Sequence, residues 1–158
     1  MIRSILRRVL IVLGIVLVLI QFIRPTKNQS NEIVTNDDIS RVYTIPDEVH
    51  NMLIKKCYDC HSNHTNYPWY FNFQPVAWWL ADHIREGKSE LNFSEFSNYP
   101  PARANHKLEE LGEVMDNGSM PLQSYTWLHP HSTVTEEEKQ ALYAWLESMN
   151  INFRKEQP

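Results

Sequence analysis

The sequence predicts an all-α domain set behind an apolar N-terminal helix. Three observations carry that prediction: an unbroken apolar run near the N-terminus, four later stretches whose apolar residues recur at helical spacing, and no convincing run of alternating residues that would argue for a sheet. A chain of 158 residues has room for one ordinary domain plus a tail or anchor. Its composition, 42% apolar and 11% aromatic, is ample for one buried core. Fifteen basic against nineteen acidic residues leave a formal charge of -4. That mild acidity argues against a nucleic-acid partner, whose phosphates call for a basic face. No internal repeat is visible.

Residues 1–24, MIRSILRRVLIVLGIVLVLIQFIR, read as an uncleaved signal anchor, a single transmembrane helix. Arg3, Arg7 and Arg8 precede an apolar run over 9–20, extended past Gln21 by Phe22 and Ile23. Basic residues before the run hold that end in the cytoplasm, so the chain after Arg24 is expected to be exported. The run is shorter than the ~20 residues of a comfortable span, and snorkelling of Arg8 and Arg24 is expected to close the gap. A cleaved signal peptide competes, but the run ends in Arg24-Pro25-Thr26 without a small-x-small pattern. The expectation is a single-pass protein of the inner membrane with its domain facing the periplasm. Residues 25–44 are polar and read as a flexible linker.

The domain is expected over 45–150, with 151–158 as a C-terminal tail. Its first helix covers 46–56: Pro46 suits the first helical position, Val49, Met52 and Leu53 share a face, and Asp47, Glu48, Lys55 and Lys56 match the dipole. A second starts at Pro75, carries Val76, Trp79, Leu80, His83 and Ile84 on one stripe, and is expected to stop at Gly87. A third covers 102–116, with Leu108, Leu111 and Met115 on one side and Asn117-Gly118 as its stop. The last opens with the capping box of Thr135 and Glu138 and runs to about Met149, with Leu142, Trp145 and Leu146 on its apolar stripe.

The first of these helices delivers the chain into CYDCH, residues 57 to 61, which holds both cysteines of the sequence. Two thiols so close cannot staple distant parts of a fold, so the pair serves local chemistry. C-x-x-C-H is the attachment pattern of a c-type haem, for a physical reason. Thiols about one helical turn apart reach two vinyl groups of a porphyrin, and the next residue projects its imidazole at the iron from the same side. Cys57 and Cys60 are therefore the expected thioether residues, and His61 the proximal ligand. A zinc site would need four ligands, and no second C-x-x-C or H-x₃₋₅-H pair completes the set. A thioredoxin-like pair would follow a strand in a β-α-β unit, and none is visible. A local disulfide would leave His61 unexplained.

For the second axial position the best candidate is Met120, in a loop just past Gly118 and beside Pro121. Met52, Met115 and Met149 fall on apolar helical faces, where methionine is usually core filler. His83 is the first alternative ligand, although a satisfied core histidine is the ordinary reading of its position. His64 lies too close to His61 to reach the opposite haem face, His50 and His106 read as helix-surface residues, and His129 and His131 flank Pro130 in a loop. Between Tyr67 and Trp79 stand seven aromatics in thirteen residues. They read as core, and some are expected to wall the macrocycle.

Five strings, CYDCHSNHTNYPWY, QPVAWWLADHIREGK, LNFSEF, MPLQSYTWLHP and TEEEKQALYAWL, resemble the small haem-binding domain family of membrane-anchored bacterial proteins. The family looks like a variant of class I cytochrome c, and the likeness covers about 45–149. It implies a cytochrome c-like helical domain around one covalent haem c, whose first and last helices cross. It also implies thioethers from Cys57 and Cys60 and ligation by His61, and a Met-Pro pair in a late loop supports Met120. The tryptophan- and tyrosine-rich middle departs from ordinary cytochromes c, so their partner surfaces do not carry over. The function expected is electron transfer with redox partner proteins rather than catalysis, with the membrane as a further partner through the anchor. The alternative is a haem sensor or peroxidase-like protein whose sixth ligand is displaceable.

Overall fold

In the computed structural model, which describes residues 2–153, the chain forms eight α-helices and no β-strand among the described residues. The all-helical expectation holds. The N-terminal transmembrane helix does not.

Helix α1, Ile2–Ile20, is 19 residues long and buries none of its side chains. No helix among the described residues is long and apolar enough to cross a membrane. Arg3, Arg7 and Arg8 occupy the first part of α1, so the uncharged run over 9–20 rises only about 18 Å against a hydrocarbon core of about 30 Å. Nor does Arg24 extend it, because that guanidinium donates to the carbonyls of Gln21, at 3.0 Å, and Asn72, at 2.7 Å. The single-pass inner-membrane location, with the haem domain facing the periplasm, is therefore not supported.

Residues 25–44, so polar in composition, lie against the rest of the chain. Asn28 donates through its amide to the Ser62 carbonyl and the Thr65 hydroxyl, and its backbone N–H donates to the Tyr67 hydroxyl. Gln29 and His64 form an isolated antiparallel bridge. Asp38 is fully buried and caps helix α2, Ile39–Val42, where its carboxylate accepts from the Ser40 backbone. It also accepts the Tyr58 hydroxyl at 2.9 Å. A buried carboxylate is tolerated because every such bond replaces one to water. These polar side chains make an ordered strap across the domain.

Helix α3, Asp47–Lys56, buries Val49, Met52 and Leu53. Helix α4, Tyr58–His61, is one turn that follows it directly. Helix α5 spans Val76–Glu90, helix α6 Pro101–Asp116, helix α7 Gln123–Leu128 and helix α8 Glu136–Ser148. Helices α3 and α6 both pack on α8. Leu108, Leu142 and Leu146 are wholly buried at the centre of this core, and truncating such a leucine to alanine typically costs about 2–5 kcal/mol. The capping box of α8 is present, and the same Glu138 carboxylate pairs with Lys56 at the end of α3. Ile151 and Phe153 add to the core, whereas residue 1 and the end of the tail, 154–158, lie outside the described residues.

Gly87 does not end its helix. Helix α5 runs three residues beyond it, to Glu90. Of the aromatics from Tyr67 to Trp79, Tyr67, Tyr70 and Phe71 join a second, smaller core with Ala77, Leu80 and Ile84, whereas Trp69, Phe73, Trp78 and Trp79 are exposed.

Candidate functional site

Hydrogen bonds from the Cys57 backbone N–H to the Leu53 carbonyl, and from the His61 N–H to the Cys57 carbonyl, each 2.9 Å, carry the chain from α3 into α4. One turn thus presents two free thiols and an imidazole. All three border a cavity of about 630 Å³, within the ordinary range for cofactor sites of roughly 300–1,000 Å³. Gly87, Glu90 and His83 line it from α5, and Lys107, Glu110 and Met115 from α6. Met120, Pro121 and Leu122 also line it. The expected haem residues Cys57, Cys60, His61 and Met120 therefore meet at one cavity, although Met120 enters from a loop far along the chain.

The imidazole of His61 is oriented by the backbone. Its Nδ1 lies 3.0 Å from the Leu91 carbonyl, which accepts the Nδ1 proton and leaves the Nε2 lone pair for a metal. Burial holds the His61 pKa below the ordinary histidine value, against the opposing effects of the Leu91 and Gly87 backbone and the Glu90 charge. The neutral ring, the form that ligates, is favoured near pH 7. Burial also pushes the Cys57 thiol up to about 12, with Cys60 adding to the rise and Lys56 opposing it. It lifts Cys60 to about 11, with a smaller contribution from Asp59. Both sulfurs thus carry their protons at neutral pH.

Gly87 earns its place by proximity rather than by ending a helix. A Cβ there would lie 2.8 Å from the carbonyl oxygen of Cys60 and 3.3 Å from its carbonyl carbon. Helix α5 can lie this close to the cysteine turn only because the position has no side chain. The contact brings Leu91, one turn further on, to the His61 ring.

Met120 is set by a different device. Gly118 adopts φ +70°, a conformation that L side chains rarely adopt, and turns the chain out of α6. The Ser119 N–H donates to the Asn117 side chain at 2.9 Å, and the Met120 N–H to the Val114 carbonyl at 3.3 Å. Met120 is partly buried against the main core. His83 also borders the cavity, and its Nδ1 faces the Trp79 carbonyl at 2.9 Å, the same arrangement as in His61. It stands one turn before Gly87 on the helix that supports the cysteine turn, whereas Met120 comes from the segment after α6.

Several expectations resolve differently. None of the aromatics from Tyr67 to Trp79 borders the cavity; Phe93 and Tyr125 do. Phe93 stacks on Tyr58 at 5.2 Å and meets the His61 ring edge-on at 6.3 Å. The Tyr125 hydroxyl donates to Asp59 at 2.8 Å, which ties α7 to the haem motif. His129 stacks on Tyr125 at 4.5 Å, and its Nε2 lies 2.6 Å from the Tyr70 hydroxyl, so it is a packed group. His64 faces the Ser30 carbonyl of the strap, and His106 pairs with Glu109 and Glu110 on the surface. The His50 Nε2 is buried without a hydrogen-bond partner. Among the described residues, no group of three or more His, Cys, Asp or Glu is placed to hold a metal ion by itself.

A roomy apolar cavity with two free thiols, an oriented neutral imidazole and a glycine-floored helix fits a haem, so the fold and site define an all-helical haem-binding protein. The chain belongs to the haem-binding domain family, whose model matches residues 15–148. The match begins within α1 and takes in the strap over 25–44. No curated protein and no solved structure matches the chain.

Proposed function

We propose that the protein is a monohaem c-type electron carrier. Cys57 and Cys60 each add S–H across a vinyl double bond of the haem, sulfur bonding one carbon and hydrogen the other, with no net oxidation. His61 ligates the iron through Nε2 and Met120 through its sulfur. Held by these two residues, the haem would supply one-electron exchange with redox partner proteins and leave no position open to a substrate, and His/Met ligation would set its potential high for a haem. The observation that carries this reading is the meeting of both thiols, the Nε2 side of His61 and Met120 at one cavity.

The test is spectroscopic. The oxidised protein is expected to be low-spin, with the weak near-infrared band of sulfur-ligated iron. Met120→Ala should abolish that band, lower the potential and leave the fold intact, while His83→Ala should leave the band unchanged. Loss of the native spectrum in His83→Ala, with Met120→Ala silent, would move the ligand to His83. A high-spin native protein that binds carbon monoxide at once would instead favour a sensor or peroxidase-like site.

A further inference from the structure

Two lysines border the cavity among the described residues, Lys56 and Lys107. Both are poorly exposed, with 7% and 10% of the side chain accessible. A lysine that serves only a surface pair keeps its ammonium in water and buries just its stem. Setting an ammonium at the edge of an apolar cavity costs solvation, which only an anionic partner offsets.

Lys56 has its partners. It donates to the Thr133 carbonyl at 2.6 Å and pairs with Glu138 in the capping box of α8. It also directly precedes Cys57, so its place is the cysteine edge of the site. Lys107 is different. Its Nζ lies 2.6 Å from Glu110, three residues on in α6, and 3.6 Å from Glu90 across the cavity mouth on α5. Both carboxylates keep contact with water, with 41% of the Glu110 and 78% of the Glu90 side chain accessible, so either can be rehydrated at modest cost if the lysine leaves it. A lysine at the cavity edge, held by two such carboxylates, is placed to exchange one of them for an anion inside the cavity.

The chemistry of haem supplies such an anion. Its two vinyl groups sit on adjacent pyrroles and its two carboxylates on the other two. With the vinyl edge bonded to Cys57 and Cys60, the carboxylates would lie at the opposite edge, away from Lys56. We propose that Lys107 is the positioning residue that receives a haem carboxylate, exchanging its bonds to Glu90 and Glu110 for one to the cofactor. It thereby fixes which way round the porphyrin enters and selects for a carboxylate-bearing tetrapyrrole. The inference rests on the covalent attachment proposed above.

The test uses the purified holoprotein, its reduction potential measured across pH and its haem content checked by intact mass. Lys107→Gln is expected to lower the potential, shifting the reduction equilibrium about fivefold, the order expected for one unit charge acting through a partly solvated medium. Lys107→Arg, which keeps the charge and guards against a folding artefact, should restore most of the shift. The decisive arm repeats Lys107→Gln in a Glu90→Gln/Glu110→Gln background. Persistence of the shift there, with a displaced pH dependence, supports a partner on the haem. Disappearance of the shift, with haem still attached by mass, overturns the role of Lys107 and leaves covalent attachment standing. A haem-containing protein with the mass of the bare chain overturns the attachment instead.

Discussion

The part of the cavity that carries Cys57, Cys60 and His61 and the part that carries Met120 are built in opposite ways. The first is a single turn of chain clamped from behind: α5 approaches the Cys60 backbone through Gly87, and the Leu91 carbonyl orients the imidazole. The second is assembled from α6 and the loop after it, where Gly118 turns the chain and the Val114 carbonyl holds Met120. Contacts from α5, distant along the chain, thus determine the turn, while the bonds that hold Met120 come from the residues just before it. The difference teaches where the site is stiff. The cysteine turn is gripped backbone to backbone, whereas the Met120 loop is held by few bonds and is the natural place for a ligand to be lost or exchanged.

Changes to the cysteine turn should therefore cost most. Cys57→Ser with Cys60→Ser is expected to leave mostly unfolded apoprotein, because the cavity lies against the main core and stays empty without its cofactor. Circular dichroism and haem content check this, and a folded, fully loaded double variant would break the comparison. Gly87→Ala should act more mildly on the same region. Helix propensity favours alanine by ~1 kcal/mol, but the new Cβ meets backbone atoms at 2.8 Å, and overpacking of that kind costs typically ~1–3 kcal/mol. A net fall in melting temperature is expected, with the near-infrared band retained because Met120 is untouched. A rise in melting temperature would show that α5 has room to move.

Much of this was legible in the sequence, and the reason lies in distance along the chain. Cysteine spacing, the capping box at Thr135 and the apolar stripes of α3, α6 and α8 are local signals, and the structure places them as read. On α5 the buried face is Ala77, Leu80 and Ile84, with Val76 and Trp79 of the expected stripe exposed. Gly87 illustrates the failure. A glycine near the end of a helical pattern looks like a stop, and only the position of Cys60 shows that it is a clearance. The strap over 25–44 was hidden because its bonds run through asparagine, serine and aspartate side chains, the residues that also fill linkers. The aromatic run misled because part of it packs in a second core and the rest is exposed, so none of it borders the cavity. The apolar N-terminus misled because snorkelling of Arg8 and Arg24 was expected to make up for a short run, whereas Arg24 is bonded to the Gln21 and Asn72 carbonyls instead. Lys107 carried no sequence signal. Its importance comes from being buried beside a cavity.

The central claim is that the haem is bonded to the turn formed by Cys57 and Cys60. The intact mass of the purified, coloured protein, taken before and after acid-acetone treatment, tests it most directly. One haem added to the chain, with the colour kept in the precipitate, is the predicted result. A mass equal to the bare polypeptide, with the colour lost to the solvent, would contradict it.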